Sequence, residues 1–274
     1  MNIKRIIAFI LSIFFLFAFT GCMNKTSSTY SPIGIIRIDG QIVGGESSVS
    51  LFGSSAVGSE TIMKQLREAQ KDSTKVIILR INSPGGSSPA SEEIYEEVVK
   101  LKKAGKKVIV SMGDVAASGG YMIACAGDYI YALPSTMTGS IGSIIEWNDY
   151  SDLYDKYGIN NHTIKSGKYK DIGSPSRKPT QDEIKLLQDT VNETYEYFVD
   201  IVSKERKIPK SQLKKIADGR IITGKKAVEY KLVDEIGNLY DAIDKAKSIL
   251  NISGSVKIKE YTTKKTLIEQ ILGT

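Results

Sequence analysis

From residue 33 onward, short apolar runs alternate with stretches in which apolar side chains recur every three or four positions. The first pattern predicts strands and the second amphipathic helices. Ile33–Ile38, Val76–Ile81 and Lys107–Met112 are β-rich runs, and the last two are nearly continuous in apolar residues, as in strands buried on both faces. Between them, Ser59–Lys71 carries Ile62, Leu66 and Ala69 at helical spacing, and a helix from about Pro89 to Ala104 carries Ile94, Val98 and Leu101. The Gly/Ser-rich stretch 40–58 reads as a long loop. Gly113-Asp114 reads as a turn before a short apolar helix over 121–126, followed by a strand at 129–132, a helix at 150–157 and a strand at 162–165. This succession predicts an α/β fold with a mostly parallel sheet and right-handed crossovers. Thr180-Gln-Asp-Glu183 has the form of a capping box and opens a long helix to about Lys204. Its apolar stripe is Leu187, Val191, Tyr195, Phe198 and Val202.

The first 22 residues carry an address. Lys4 and Arg5 precede an apolar run of 14 residues, Ile6 to Phe19. As a helix it is about 21 Å long, against a hydrocarbon core of about 30 Å, which suits a signal-peptide core better than a span. The run ends in Phe19-Thr20-Gly21-Cys22 and resembles the lipobox of bacterial lipoproteins, in which the chain is cut before the cysteine and the cysteine is lipidated. The alternative is an uncleaved N-terminal anchor. Either way the remainder lies on the extracytoplasmic face of the cell membrane. Residues 1–22 are thus a signal or anchor segment, 23–32 a polar tether, 33–250 the main domain and 251–274 a strand/helix tail.

Composition narrows the functional classes. With 41% hydrophobic and 25% charged residues the chain is neither disordered nor a multi-span membrane protein. The net charge of +6 falls to +4 once Lys4 and Arg5 are removed, and no nucleic-acid motif accompanies it. Two cysteines exclude a disulfide framework, and the single His162 argues against histidine-rich metal chemistry.

Chemistry concentrates in two Gly-rich loops that follow buried strands, 82–86 and 113–120, where α/β folds bind ligands. Backbone N–H groups of Gly85 and Gly86 can approach a ligand oxygen, and Ser118-Gly119-Gly120 opens a helix whose free N–H groups stabilise an oxyanion. Each loop alone also fits a plain role, Ser118 as a helix cap and Gly85-Gly86 as a tight turn. Neither loop contains a phosphate-loop or dinucleotide-binding fingerprint. A nucleophilic serine needs a base. The candidates are His162, with Asp171 as its partner, and a lysine from Lys165-Ser-Gly-Lys-Tyr-Lys-Asp171.

Four motifs then occur in one order: Asn82-Ser-Pro-Gly-Gly86, Met112-Gly-Asp-Val-Ala-Ala-Ser-Gly-Gly-Tyr121, Thr138-Gly-Ser-Ile-Gly142 and Ser166-Gly-Lys-Tyr-Lys-Asp171. Their order and spacing resemble the signal-peptide peptidase A family, Ser-Lys peptidases of the Clp protease/crotonase fold, in its single-domain Gram-positive form. The similarity continues through Pro175-Ser-Arg177 and Lys215-Ile-Ala-Asp-Gly-Arg220, and so spans roughly residues 33–240. The resemblance implies a repeated β-β-α superhelical core with a C-terminal helical extension. By position it implies Ser118 as nucleophile, Lys170 as general base and Ser140 as the hydroxyl that orients the lysine. It assigns the oxyanion donors to Gly119 and one of Gly85 and Gly86, with Gly86 preferred. It further implies an endopeptidase that degrades cleaved signal peptides without metal, cofactor or ATP, in a homo-oligomeric ring whose sites draw on neighbouring subunits. Ile141, Ile144, Ile145 and Trp147 are candidate walls of an apolar groove. A coenzyme A enzyme of the same fold and a non-enzymatic scaffolding lipoprotein are the competing readings.

Overall fold

The computed structural model describes residues 31–49 and 55–262. Cys22, the segment 1–22, most of the tether and the end of the tail lie outside the described residues. In chain order the elements are β1 (Ile33–Asp39), β2 (Gln41–Val43), β3 (Ser48–Val49), β4 (Ser55–Gly58), α1 (Ser59–Lys71), β5 (Val76–Ser83), α2 (Ser88–Lys103), β6 (Lys107–Ala117), α3 (Gly119–Cys125), β7 (Tyr129–Ala132) and β8 (Met137–Gly139). There follow α4 (Ser151–Lys156), α5 (Gln181–Arg206), α6 (Lys210–Leu213), β9 (Ile221–Thr223), α7 (Gly224–Glu229), β10 (Glu235–Ile236), α8 (Leu239–Ile249) and β11 (Ile258–Tyr261).

The central sheet runs β10-β7-β6-β5-β1-β11 with all neighbours parallel. Alternate residues of each strand serve opposite faces. Ile36, Ile38, Ile77, Leu79, Val108 and Val110 pack beneath α1 and α2. Ile33, Ile35, Val76, Ile78 and Ile109 pack against Ala242 and Ala246 of α8. Burial on both faces explains the unbroken apolar run Val76–Leu79, none of which is accessible to solvent. No helix among the described residues is long and apolar enough to cross a membrane.

Three local expectations need correction. The stretch 40–58 holds three short strands in a separate sheet, ordered β2-β4-β3. At two to four residues each, they are too short to show the alternation that marks a strand in sequence. Gly113-Asp114 is a bulge inside an 11-residue strand, because the register with β5 shifts between Ile81 and Ser83. The Asn82 side chain fills the bulge and accepts the Val115 N–H at 3.1 Å. Residues 162–165 form no strand and are wholly exposed, because their alternation finds no partner strand. The tail strand β11 is part of the central sheet, paired with β1. The capping box stands as read: Thr180 and Glu183 exchange hydrogen bonds of 2.8 and 3.3 Å at the start of α5.

A polar clasp holds β11 to the sheet. Tyr261 Oη donates to Asp72 at 2.6 Å and Lys259 Nζ donates to the same oxygen at 2.7 Å. Burial by itself raises the Asp72 carboxyl, but the hydrogen bonds from Lys259, Thr74 and Tyr261 outweigh it and hold it at about 2. A carboxyl lowered by folding stabilises above its unfolded pKa of about 3.9, and this stabilisation is lost as the pH falls toward 2. Asp72→Asn therefore lowers the melting temperature at pH 7, by the equivalent of about 1–3 kcal/mol. The gap from wild type narrows between about pH 4 and pH 2. Calorimetry across that range checks this, and a pH-independent gap would remove Asp72 from the account.

Candidate active site

Ser118 stands between the last residue of β6 and the first of α3, with φ 52° and ψ −123°. A non-glycine residue there is strained by about 1–3 kcal/mol and persists only where its surroundings impose it. Two backbone bonds do so: Ser118 N–H donates to Gly139 O and Met122 N–H donates to Ser118 O, each at 2.9 Å. Ser118 occupies the cap position of α3, yet its side chain makes no capping hydrogen bond. The residue lines a cavity of about 480 Å³.

The two Gly-rich loops meet at this serine. A methyl group on Gly85, whose φ is +95°, would lie 2.8 Å from Ser118 Cβ and 2.7 Å from the Gly119 nitrogen. Only glycine permits that approach. The Gly85 N–H is already engaged, donating to Ser83 Oγ at 3.1 Å. Gly86 is bridged to Ile42 through its neighbours, since Ile42 N–H donates to Gly85 O and Ser87 N–H to Ile42 O, both at 2.9 Å. This leaves the Gly86 N–H without a protein acceptor among the described residues, and Gly86 lines the cavity. The Gly119 N–H, first in α3, has no acceptor within its own helix. Gly86 lines the cavity with Ser118 and Gly119 does not; their N–H groups are the candidate donors to a tetrahedral oxyanion.

Ser140 shares the cavity and also has positive φ, 50°, with its N–H donating to Arg220 O at 2.9 Å. Ile141 and Ile144 line the cavity as expected, whereas Ile145 and Trp147 do not. Val191 and Tyr195 of α5 supply the facing wall. They belong to the stripe seen in the sequence, which divides between this wall and the core beneath Phe198 and Val202. Cys125 is fully packed on α3, and burial pushes its thiol up to about 12.

Lys170 is not among the residues lining this cavity, nor is His162, and both are exposed. Lys170 lies in a turn, its N–H donating to Gly167 O at 3.2 Å. The next residue, Asp171, is clamped by Arg177 through two bonds of 2.9 Å and by Lys165 at 2.5 Å. Arg177, then Lys165, hold the Asp171 carboxyl well below the usual carboxylate range. Arg177 also binds Glu183, whose carboxyl is held at about 2 by Arg177 and by Thr180. The turn that carries Lys170 is therefore tied to the start of α5. The lysine that does line the cavity, Lys214, donates to Glu196 at 2.5 Å, and this bond raises its amine.

Comparison with known proteins gives the family and the fold. The model of peptidase family S49 matches residues 100–253, and that of Clp protease matches residues 47–139. A protein of Enterococcus faecium that bears the name signal peptide peptidase SppA is 38% identical over 240 residues, which cover 87% of this chain and 68% of that one. The chain belongs to peptidase family S49. Members of this family are serine peptidases of the Ser-Lys type, and the chain is one of them. Protease 4 of Haemophilus influenzae is also 38% identical, over 85% of this chain and 37% of its own length. A ClpP1 variant from Listeria monocytogenes superposes with a TM-score of 0.50 over 76% of this chain and 94% of its own, at 20% identity. The fold of this S49 chain is accordingly Clp-like.

Proposed function

We propose that Ser118 is the nucleophile and Lys170 the general base of an endopeptidase that cuts apolar peptides, cleaved signal peptides above all, outside the cytoplasmic membrane. The observation that carries the reading is Ser118 itself, strained, making no helix-cap bond, followed in sequence by Gly119, and lining with Gly86 a cavity that has Ile141, Ile144 and Val191 on its wall beside polar residues. In the reaction Ser118 Oγ attacks the scissile carbonyl carbon while its proton passes to the neutral amine of Lys170. The carbonyl oxygen becomes an oxyanion between the two N–H donors. Lysine then protonates the departing amine, and the acyl-enzyme is hydrolysed by a water that Lys170 deprotonates. Ser140, at the same cavity, is suited to hydrogen-bond that amine and orient it.

Lys170 reaches the cavity from a neighbouring subunit. Supporting this are its exposed turn and the unburied apolar residues of the segment that carries it, Ile144, Leu153, Tyr157, Ile159 and Ile164, which a second copy would cover. The chain is held at the membrane by lipid on Cys22 or by an uncleaved N-terminal segment.

The test is digestion of a synthetic signal peptide by the full chain in detergent, with products mapped by mass, alongside labelling by a serine-reactive fluorophosphonate. Internal cleavage and a single label on Ser118 are expected; labelling elsewhere, or none, overturns the reading. The pH profile follows from the same chemistry. A lysine base works only as the neutral amine, so turnover rises with pH across the acid and neutral range. A maximum below pH 6 would exclude lysine.

A further inference from the structure

Lysines cluster at the N-terminal edge of the central sheet, around the point where the described chain begins. Lys257 immediately precedes β11, Pro32 precedes β1, Lys75 precedes β5, and Lys107 opens β6 level with Val76. Backbone bonds draw the edge together. Lys75 N–H and Val76 N–H both donate to Pro32 O, at 2.7 and 3.1 Å, and Lys107 N–H donates to Lys75 O at 2.9 Å. Helices α1 and α2 end beside it in Lys71 and Lys103.

All five lysines are exposed and none is ion-paired to a described residue. The carboxylates of the same edge already have cations: Asp72 and Glu68 bind Lys259 at 2.7 and 2.8 Å, and Asp128 lies 3.7 Å from Lys102. Lys71 and Lys103 have a local explanation, since a cation complements a helix C-terminus. Lys75, Lys107 and Lys257 sit at strand starts, where no such dipole exists. They leave an unneutralised positive rim.

We propose that this rim is the surface on which the domain rests against anionic phospholipid headgroups. The inference rests on the membrane attachment proposed above. Residues 23–31 reach at most about 30 Å when fully extended, so a tether fixed near Cys22 keeps the edge around Pro32 close to the bilayer. A lysine near an anionic surface gains roughly five-fold in binding, over a range of about 10 Å at 0.1 M salt. The candidate active site lies beyond the opposite end of the strands. The eight residues of β5 at about 3.3 Å each set it roughly 25 Å above the rim, where it meets peptides that have left the bilayer.

The experiment uses the full chain, reconstituted into vesicles of phosphatidylcholine alone or of phosphatidylcholine with phosphatidylglycerol. Flotation reports attachment, and an amine-reactive label read by mass spectrometry reports each lysine. On the anionic vesicles, Lys71, Lys75, Lys103, Lys107 and Lys257 should label at least about five-fold more slowly than on neutral ones, while Lys185 and Lys225 do not change. High salt should erase the difference. In K75E/K107E/K257E, or in K75Q/K107Q/K257Q should the first fail to fold, Lys71 and Lys103 should label equally on both vesicles, with cleavage of a soluble peptide unchanged. Flotation on both vesicles with equal rim labelling overturns the proposal and leaves the attachment intact. Flotation on neither removes the attachment, and the proposal with it.

Discussion

Replacing Ser118 by alanine abolishes peptide hydrolysis and leaves the fold in place. The hydroxyl holds no cap, so its loss breaks no hydrogen bond within the described structure. Alanine inherits the same strained backbone, and the expected change in stability stays within about 0.5 kcal/mol. Activity should fall by about four to six orders of magnitude, the loss typical when the nucleophile of a coupled pair is removed. Lys170→Ala should lose a comparable amount, because nucleophile and base act as one unit. Lys170 is exposed, so that variant too should melt like the wild type. Peptide digestion beside thermal melts checks both. Activity that survives in Lys170→Ala but vanishes in His162→Ala would replace the dyad with a triad.

The second large effect is recovery. Ser118→Ala and Lys170→Ala chains, each inactive alone, should regain activity when mixed and allowed to exchange subunits. A site that takes its serine from one chain and its lysine from the next is intact in roughly a quarter of random pairings, so about a quarter of wild-type turnover is expected in a head-to-tail ring. The physical motive is in the single chain. Its cavity contains Ser118, Ser140 and Gly86 but not Lys170, and its own lysine, Lys214, is bound to Glu196. Arg177 fixes the Lys170 turn through Asp171 and Glu183, so the base is presented on a braced segment. No recovery in confirmed mixed oligomers would show that each chain completes its own site.

Much of this was legible in the residue pattern. The buried strands showed as nearly continuous apolar runs because parallel strands covered by helices on both faces carry few polar side chains. The long helix announced itself through Thr180 and Glu183, since capping is a local interaction that four residues specify. Gly85, Gly86 and Ser118 stood out because close backbone approach and a serine at a helix start each need particular residue types, whereas Ser140 came only from the family resemblance. Three features were hidden. The strands within 40–58 are two to four residues long, too short to show a period-2 pattern. The alternation at 162–165 mimicked a strand that has no partner. The cavity wall of Val191 and Tyr195 looked like any other stripe on a helix.

The sequence by itself determined the α/β class, the order of elements and the residue types able to do acyl transfer, because periodicity, capping and glycine tolerance are local properties. Only the tertiary structure decided which groups meet. The bulge at Gly113-Asp114 carries β6 on to Ser118, and Gly139 and Met122 hold that serine at φ 52°. Ser83 engages the Gly85 N–H, and Gly86 rather than Gly85 lines the cavity. Lys170 lies outside that cavity. Such facts depend on contacts between residues tens of positions apart, set by how the strands register and the helices pack, and no window of sequence contains them.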